Sequence, residues 1–357
     1  MKAALISLGS ESSKWTLKAM KKYFQKVDDF DIRKMEVAMT KRGLDALFEG
    51  NPLEDYDCVY AKGSFRYRAL LRSITAALYS KCYMPVSAAA FSTGHNKLST
   101  QLELQKNNVP MPNTYFAATP RAGRNILKRV SYPIVMKFPQ GTQGKGVMFS
   151  DSFASASSLL DALDVMNQPF IIQEYIETEG SDIRAIVVGE QVVAAMRRTA
   201  LKGEVRSNIH AGGHGEPVSL DFQARKIAVQ AAKAIGAEIC GVDILESVTG
   251  HLVIEVNLSP GLKGVTRATG IDVADKIASY LHSQTKQRVD TSKKKGATKI
   301  MKQIEPEQLK EFITTLSFRG NRILLPDTAN NIAKFKDDEE VTIHAERGKI
   351  EIKKTGF

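Results

Sequence analysis

The sequence predicts a mixed α/β (α+β) protein: a small open α/β domain, a larger body of short strands and helices, and a small β-rich C-terminal module. Three observations predict it. The first 93 residues alternate apolar strand-like runs with amphipathic helix-like ones. Residues 94–282 carry several short apolar strands, the last two joined as a hairpin. Beyond a lysine-rich stretch, the final segment alternates apolar and polar residues with period two. A chain of 357 residues and 39.3 kDa, 43% apolar and 25% charged, suits two or three globular domains.

The elements follow in order. Lys2–Leu8 reads as a first buried strand rather than a cleavable leader, and Lys14–Lys26 as a helix with Trp15, Leu17, Met20 and Phe24 on one face. Asp57–Ala61 is a second buried strand and Tyr67–Tyr79 a helix, giving the βαβ rhythm of residues 1–93. Residues 94–180 hold a helix over Lys97–Asn107 and strands at Pro133–Phe138 and Phe170–Ile176. Residues 181–282 hold strands at Ile183–Val188 and Val192–Met196 and a helix at Phe222–Ile235. A hairpin of Ile239–Leu245 and Leu252–Val256 completes them. Ser283–Gln303 is rich in lysine and lacks apolar periodicity before Ile300, so residues 283–300 read as a basic linker. In residues 301–357, Glu307–Leu316 reads as a helix and Arg322–Leu325 as a strand. Val341–Ala345 and Ile350–Ile352 form a hairpin with one buried face. So short a module is expected to dimerise or dock.

Composition excludes several classes. No run approaches the roughly 18 apolar residues of a membrane span. Cys58, Cys82 and Cys240 are dispersed and lack metal spacing, which points to a reducing cytoplasm rather than a disulfide scaffold. The net charge of +11 is concentrated at the two ends. It permits nucleic-acid or acidic partners without requiring them.

Three stretches can carry chemistry. Glu255 and Asn257 lie two apart on a strand and share a face, and Asp243 on the preceding strand can point the same way. Two carboxylates and an amide oxygen make a hard-oxygen site suited to Mg²⁺; the alternative is a solvated hairpin face. Gly141-Thr142-Gln143-Gly144-Lys145-Gly146 follows the 133–138 strand. Its glycines let backbone amides close over an anion, although it is not a Walker A loop, and Lys137 sits just upstream as a phosphate ligand or an outward-facing lysine. The third is a basic group, Arg184, Arg197, Arg198 and the Arg206-Ser207-Asn208 turn, able to hold a transferring phosphoryl group or to lie on the surface. His210 and His214 could bind metal, but the glycines between them favour a substrate loop. No nucleophile constellation occurs.

Residues 94–282 resemble the ATP-grasp fold, and within it the RimK-type glutamate ligases. The resemblance rests on Asn96-Lys97-Leu98, Val135-Met136-Lys137, Gly141-Thr142-Gln143-Gly144, Gln173-Glu174-Tyr175-Ile176 and Ser181-Asp182-Ile183-Arg184. It continues through Arg206-Ser207-Asn208, Gly241–Leu245 and Glu255-Val256-Asn257 to Ser259-Pro260-Gly261. It implies ATP as cosubstrate and Mg²⁺, as two ions and replaceable by Mn²⁺. Lys97, Lys137 and the Gly141–Gly144 run would bind phosphates, Glu174 and Tyr175 adenine, and Asp182 ribose. Arg206, Ser207 and Asn208 would meet the γ-phosphate and an acyl phosphate. Arg184 and Arg198 would serve the acceptor side, and Asp243, Glu255 and Asn257 the metal. The segment from Glu174 to Asp182 is one residue shorter than in some relatives.

The implied activity joins L-glutamate to the C-terminal carboxylate of a protein tail or coenzyme through an acyl phosphate, releasing ADP and phosphate. The alternatives are a ligase for another amino acid or carrier protein, and a nucleotide-sensing, nucleic-acid-binding regulator. The tail, through Asn321–Pro326, Lys336–Val341 and Arg347–Ile352, resembles an AbrB-like swapped-hairpin domain, which implies a homo-oligomer, dimer or tetramer.

Overall fold

The computed structural model describes all residues except 42, 118, 140–145, 166–168, 201–213, 305–313 and 355–357. The chain divides into two compact units, Met1–Ser292 and Lys293–Phe357.

The first unit begins with β1 (Lys2–Ser7), buried from Ala3 onward and flanked on both sides by parallel neighbours. It pairs with β2 (Lys26–Asp31) and, further along the chain, β6 (Cys58–Ala61). Burial on both faces is why Ala3–Ile6 is continuously apolar. The intervening helix α1 spans Glu11–Met20, capped by the Ser10 hydroxyl, which accepts from the Ser13 N–H. The helix expected to reach Lys26 therefore stops six residues earlier. Lys26–Asp31 is an edge strand on β1, and an edge strand tolerates charge on its open side, so its sequence shows no apolar alternation. Strands β3 (Met35–Thr40), β4 (Gly43–Phe48) and β5 (Asn51–Pro52) form an antiparallel sheet that periodicity did not announce. After β6 come α2 (Arg68–Leu78) and α3 (Ala88–Thr93).

Helix α4 (Lys97–Lys106) opens the next layer, capped by Asn96. A four-stranded antiparallel sheet follows, in the order β7 (Thr114–Ala117), β10 (Phe170–Glu174), β8 (Ile134–Lys137), β9 (Val147–Ser150). Helices α5 (Pro120–Leu127) and α6 (Phe153–Val165) supply the other half of its core, with Leu127 and Leu160 against Ile134, Met136 and Ile172. Strand alternation turns Val135 and Lys137 to the other side.

A five-stranded antiparallel sheet completes the unit, ordered β13 (His214–Pro217), β12 (Gln191–Thr199), β11 (Ser181–Val188), β14 (Ile239–Ser247), β15 (Gly250–Asn257). Helix α7 (Phe222–Ile235) packs on it through Ala224, Ala228 and Ala231. Helix α8 (Lys263–Thr269) leads into α9 (Val273–Ile304). The stretch read as a linker from Ser283 is the continuation of α9. Thr285 is buried and Arg288 donates to the Ser80 carbonyl at 2.9 Å, so tertiary contacts hold the first turns of a stretch whose composition did not signal helix. Among the described residues no helix is long and apolar enough to cross a membrane, and Cys58, Cys82 and Cys240 are free and buried.

In the second unit, β16 (Ser317–Arg319) pairs with β17 (Arg322–Leu324), α10 spans Asp327–Ala333, and β18 (Val341–Glu346) pairs with β19 (Lys349–Lys354). The helix expected over Glu307–Leu316 lies outside the described residues but for its last three, which are not helical. Among the described residues of this unit, the β18–β19 hairpin does not show the expected buried face. No described residue from 314 to 354 is buried, and Ile343 and Ile350 are 59% and 53% exposed.

Gly236 ends α7 in the left-handed region at φ +79°, and a Cβ there would lie 2.7 Å from the Ser87 hydroxyl. Gly236→Ala is expected to cost about 1–2 kcal/mol, read as a lower midpoint in urea unfolding.

Candidate active site

A cleft of about 1430 Å³ runs between the four-stranded and five-stranded sheets, with the amino-terminal domain closing one end. Strand alternation decides which residues face it. On the four-stranded sheet Lys137 lines the cleft and donates to Gln173 Oε1 at 2.6 Å; Gln173 in turn donates to Thr114 Oγ1 at 2.8 Å. Burial pushes the Lys137 ammonium down to about 8. The Glu255 carboxylate opposes that shift and Lys97 reinforces it, so both charges act on the Lys137 ammonium. Lys97 begins α4, anchored by its N–H donating to the Pro139 carbonyl at 2.9 Å.

Glu174 and Tyr175 end β10 on the cleft wall. Glu174 accepts from the Asn113 N–H at 3.3 Å, and the Tyr175 ring meets Phe149 edge-on at 5.1 Å, making an aromatic corner.

On the five-stranded sheet the expected face-sharing is present. Asp243 pairs across the hairpin with Glu255, and Gly241 with Asn257. All three polar side chains line the cleft, but they are not equivalent. Asp243, 4% exposed, accepts from Arg184 Nε at 2.7 Å and Nη2 at 2.6 Å, and lies 3.0 Å from Arg198 Nη2. Arg198 in turn donates to both oxygens of Asp182 at 2.6 Å. Burial alone would raise the Asp243 carboxyl, but the two guanidiniums outweigh it and hold the group well below the usual carboxylate range. Burial likewise works against the Arg198 charge, and Asp243 and Asp182 overcome it.

This network sets the surroundings of residues named from the sequence. Asp182, read as a ribose ligand, accepts from Arg198 through both oxygens. Arg184 and Arg198, read as acceptor-side cations, pair with buried aspartates. Arg197 does not join them: alternation sends it to the opposite face, where its Nη2 is 2.6 Å from Glu246. Gly141, Thr142, Gln143, Gly144, Lys145, Arg206, Ser207, Asn208 and His210 lie outside the described residues, and the side chain of His214 does too.

The donor set fits a magnesium ion. Glu255 and Asn257 present hard oxygens to the cleft, and among the described residues no side-chain hydrogen bond or ion pair holds either one. Asp243 offers a third donor, shared with its arginines. Among the described residues no cluster of three His, Cys, Asp or Glu side chains competes for a metal.

The RimK-like ATP-grasp domain matches residues 94–281. A protein of Legionella pneumophila (strain Corby) named "Probable alpha-L-glutamate ligase" is 40% identical over 244 residues, covering 66% of this chain and 80% of its own length. Its namesake in Marinomonas sp. (strain MWYL1) is 36% identical over 289 residues, covering 79% and 95%.

The chain belongs to the RimK-like ATP-grasp family.

Solved structures agree on the fold of this RimK-like protein. The ATP-grasp ligase PsnB, complexed with minimal precursor, Mg and ADP, superposes with a TM-score of 0.62 at 17% identity, over 80% of this chain and 98% of PsnB. The RimK domain protein of Sphaerobacter thermophilus DSM 20745 gives 0.61 at 18% identity, over 78% and 99%. The fold is that of the ATP-grasp ligases.

The cleft also contains residues that the sequence reading passed over, chiefly Lys62, Ser12 and Lys263. Lys62 had a usable signal: like Lys137, it is a lysine closing an otherwise apolar strand run.

Asp243→Asn should lower stability at neutral pH by about 3–5 kcal/mol, because two guanidiniums lose a buried counter-charge. The wild-type carboxyl is depressed, so its contribution is complete above about pH 4 and fades as pH falls below that value. Urea unfolding of the two proteins at neutral pH and at about pH 3 should therefore show the gap narrowing on acidification.

Proposed function

We propose that this RimK-like protein is an ATP-dependent ligase that joins the α-amine of L-glutamate to a carboxylate of a protein tail or coenzyme, releasing ADP and phosphate. The observation that carries the reading is the opposition, across one cleft, of the Lys137 and Lys97 cations and the Glu255 and Asn257 oxygens. That arrangement suits a triphosphate with its metal. The names of the Legionella and Marinomonas relatives support glutamate as the amine.

The chemistry follows from charge. A carboxylate repels an amine, so it must first be activated. A carboxylate oxygen of the acceptor attacks the γ-phosphorus, the bond to the β-phosphate bridging oxygen breaks, and ADP leaves. The glutamate amine then attacks the acyl carbon, the carbon–oxygen bond to phosphate breaks, and the amine gives up a proton. Lys97 and Lys137 hold the phosphates, while the Tyr175–Phe149 corner and Glu174 flank the adenine. As the family resemblance implies, the Gly141–Gly144 run would bind the phosphates, and Arg206, Ser207 and Asn208 would meet the transferring group. Glu255, Asn257 and Asp243 would hold Mg²⁺, as two ions and with Mn²⁺ able to substitute, and the metal would supply positive charge against the phosphate oxygens.

Residues 314–354 support a homodimer or higher oligomer, through a module that resembles the AbrB-like swapped hairpin. A hairpin with Ile343 and Ile350 exposed has no core of its own, and a second copy would supply one. The compartment we assign is the cytoplasm, where ATP and free glutamate are available and three free thiols stay reduced.

The test is incubation of the purified protein with Mg-ATP, L-glutamate and acceptor-containing extract. ADP and phosphate should appear together with glutamyl mass ladders on an acceptor, and release of AMP would point instead to adenylation. Glu255→Gln should reduce ADP release on the order of 100-fold or more with an unchanged thermal midpoint. The oligomer is checked by light scattering: deletion of residues 314–357 should halve the mass of a dimer, and an unchanged mass would remove the tail from the interface.

A further inference from the structure

Lys62 follows β6 at the carboxyl end of the parallel sheet and lines the same cleft as Glu255 and Asn257. It is 4% exposed. Among the described residues no acid pairs with it. Its ammonium lies 5.8 Å from the Tyr60 ring centroid, and the nearby Glu11 carboxylate is paired instead with Lys263 at 2.9 Å. Burial without a counter-ion pushes it down to about 8. A buried, unpaired ammonium is costly, and the fold has not neutralised it as it neutralised Arg184 and Arg198.

The surroundings point to an anion. The first turn of α1, behind the Ser10 cap, opens on the same cleft with Ser12, Ser13 and Glu11, the last paired with Lys263, and a helix N-terminus carries partial positive charge. In open α/β sheets the crevice beyond the carboxyl ends of the strands is where ligands sit. Two hydrogen bonds fasten this edge to the chain just beyond Asn257. Gly63 N–H donates to Ser259 Oγ at 2.8 Å, and Leu262 N–H donates to Ser12 Oγ at 2.9 Å. Lys62 is thus held in fixed relation to the strand that carries Glu255 and Asn257.

We propose that Lys62 and the first turn of α1 form a carboxylate-binding subsite for the substrate carboxylate that is not phosphorylated. The inference rests on the ligase reading for the identity of its ligand. Free glutamate brings two unreacted carboxylates, and a glutamyl acceptor keeps at least one beside the reacting group. One recognition chemistry therefore serves either source.

The experiment compares full-length wild type, Lys62→Met and Lys62→Arg by titration calorimetry in the presence of a non-hydrolysable ATP analogue. The two probes are L-glutamate and N-acetyl-L-glutamate, which keeps both carboxylates but has no free amine. Lys62→Met should weaken one probe about tenfold or more, with Lys62→Arg within about threefold of wild type and analogue affinity within about twofold. Loss for L-glutamate alone assigns the subsite to the incoming amino acid; loss for N-acetyl-L-glutamate assigns it to the acceptor. The Met variant should also melt at a higher temperature, because an apolar chain of similar length replaces an unpaired charge. A structural lysine would melt lower and change analogue binding too, and that outcome overturns the proposal. So does equal affinity of wild type and Lys62→Met for both probes, or no binding of either probe by wild type. Binding that depends on Lys62 without ADP release in the extract assay would remove the ligase reading and leave the subsite standing. Ligation with an unchanged KM for glutamate and acceptor in Lys62→Met would do the reverse.

Discussion

The wall of the cleft depends on a run of four alternating charges, Asp182, Arg198, Asp243 and Arg184, that ties three neighbouring strands together. Two guanidiniums and two carboxylates cancel in net charge, and their bidentate geometry fixes the planes of all four groups. Removing any one leaves the set with an unbalanced buried charge, so its members are energetically coupled. Asp243 holds both arginines through its oxygens, while its cross-strand neighbour Glu255 faces the cleft without such a partner among the described residues.

The opposite wall follows another rule. Lys137 is held by neutral groups, Gln173 and through it Thr114, so its charge is oriented without being cancelled. Lys62 has no such support and no counter-ion among the described residues. One cleft thus contains cations of three kinds: arginines paired with buried aspartates, a lysine oriented by neutral groups, and an uncompensated lysine at the amino-terminal edge. Burying the last two without a counter-charge is costly, whereas the paired arginines are compensated within the fold.

Much of this was legible beforehand. The Ile239–Ser247 and Gly250–Asn257 hairpin, the Phe222–Ile235 helix and the apolar strand ending in Lys137 follow from periodicity, and the shared face of Asp243, Glu255 and Asn257 from strand alternation. The elements that escaped lacked an apolar period. Lys26–Asp31 is a charged edge strand, Met35–Pro52 makes a small half-exposed sheet, and Ser283–Ile304 is helical although its composition suits a tether. In the second unit the alternation of the hairpin was legible, but among the described residues of that unit its apolar face is not buried.

The sequence by itself determined the family, the order of the elements and which side chains share a face, because those depend on local repeat and on motif order along the chain. Only the tertiary structure decided that Asp182 and Asp243 answer to arginines, that Arg197 turns away from Arg198's partners, and that Lys62 reaches the cleft. Periodicity assigns a side chain to a face but not to a partner. The partner is fixed by strand order, here β12 beside β11 beside β14, which brings together residues up to 59 positions apart.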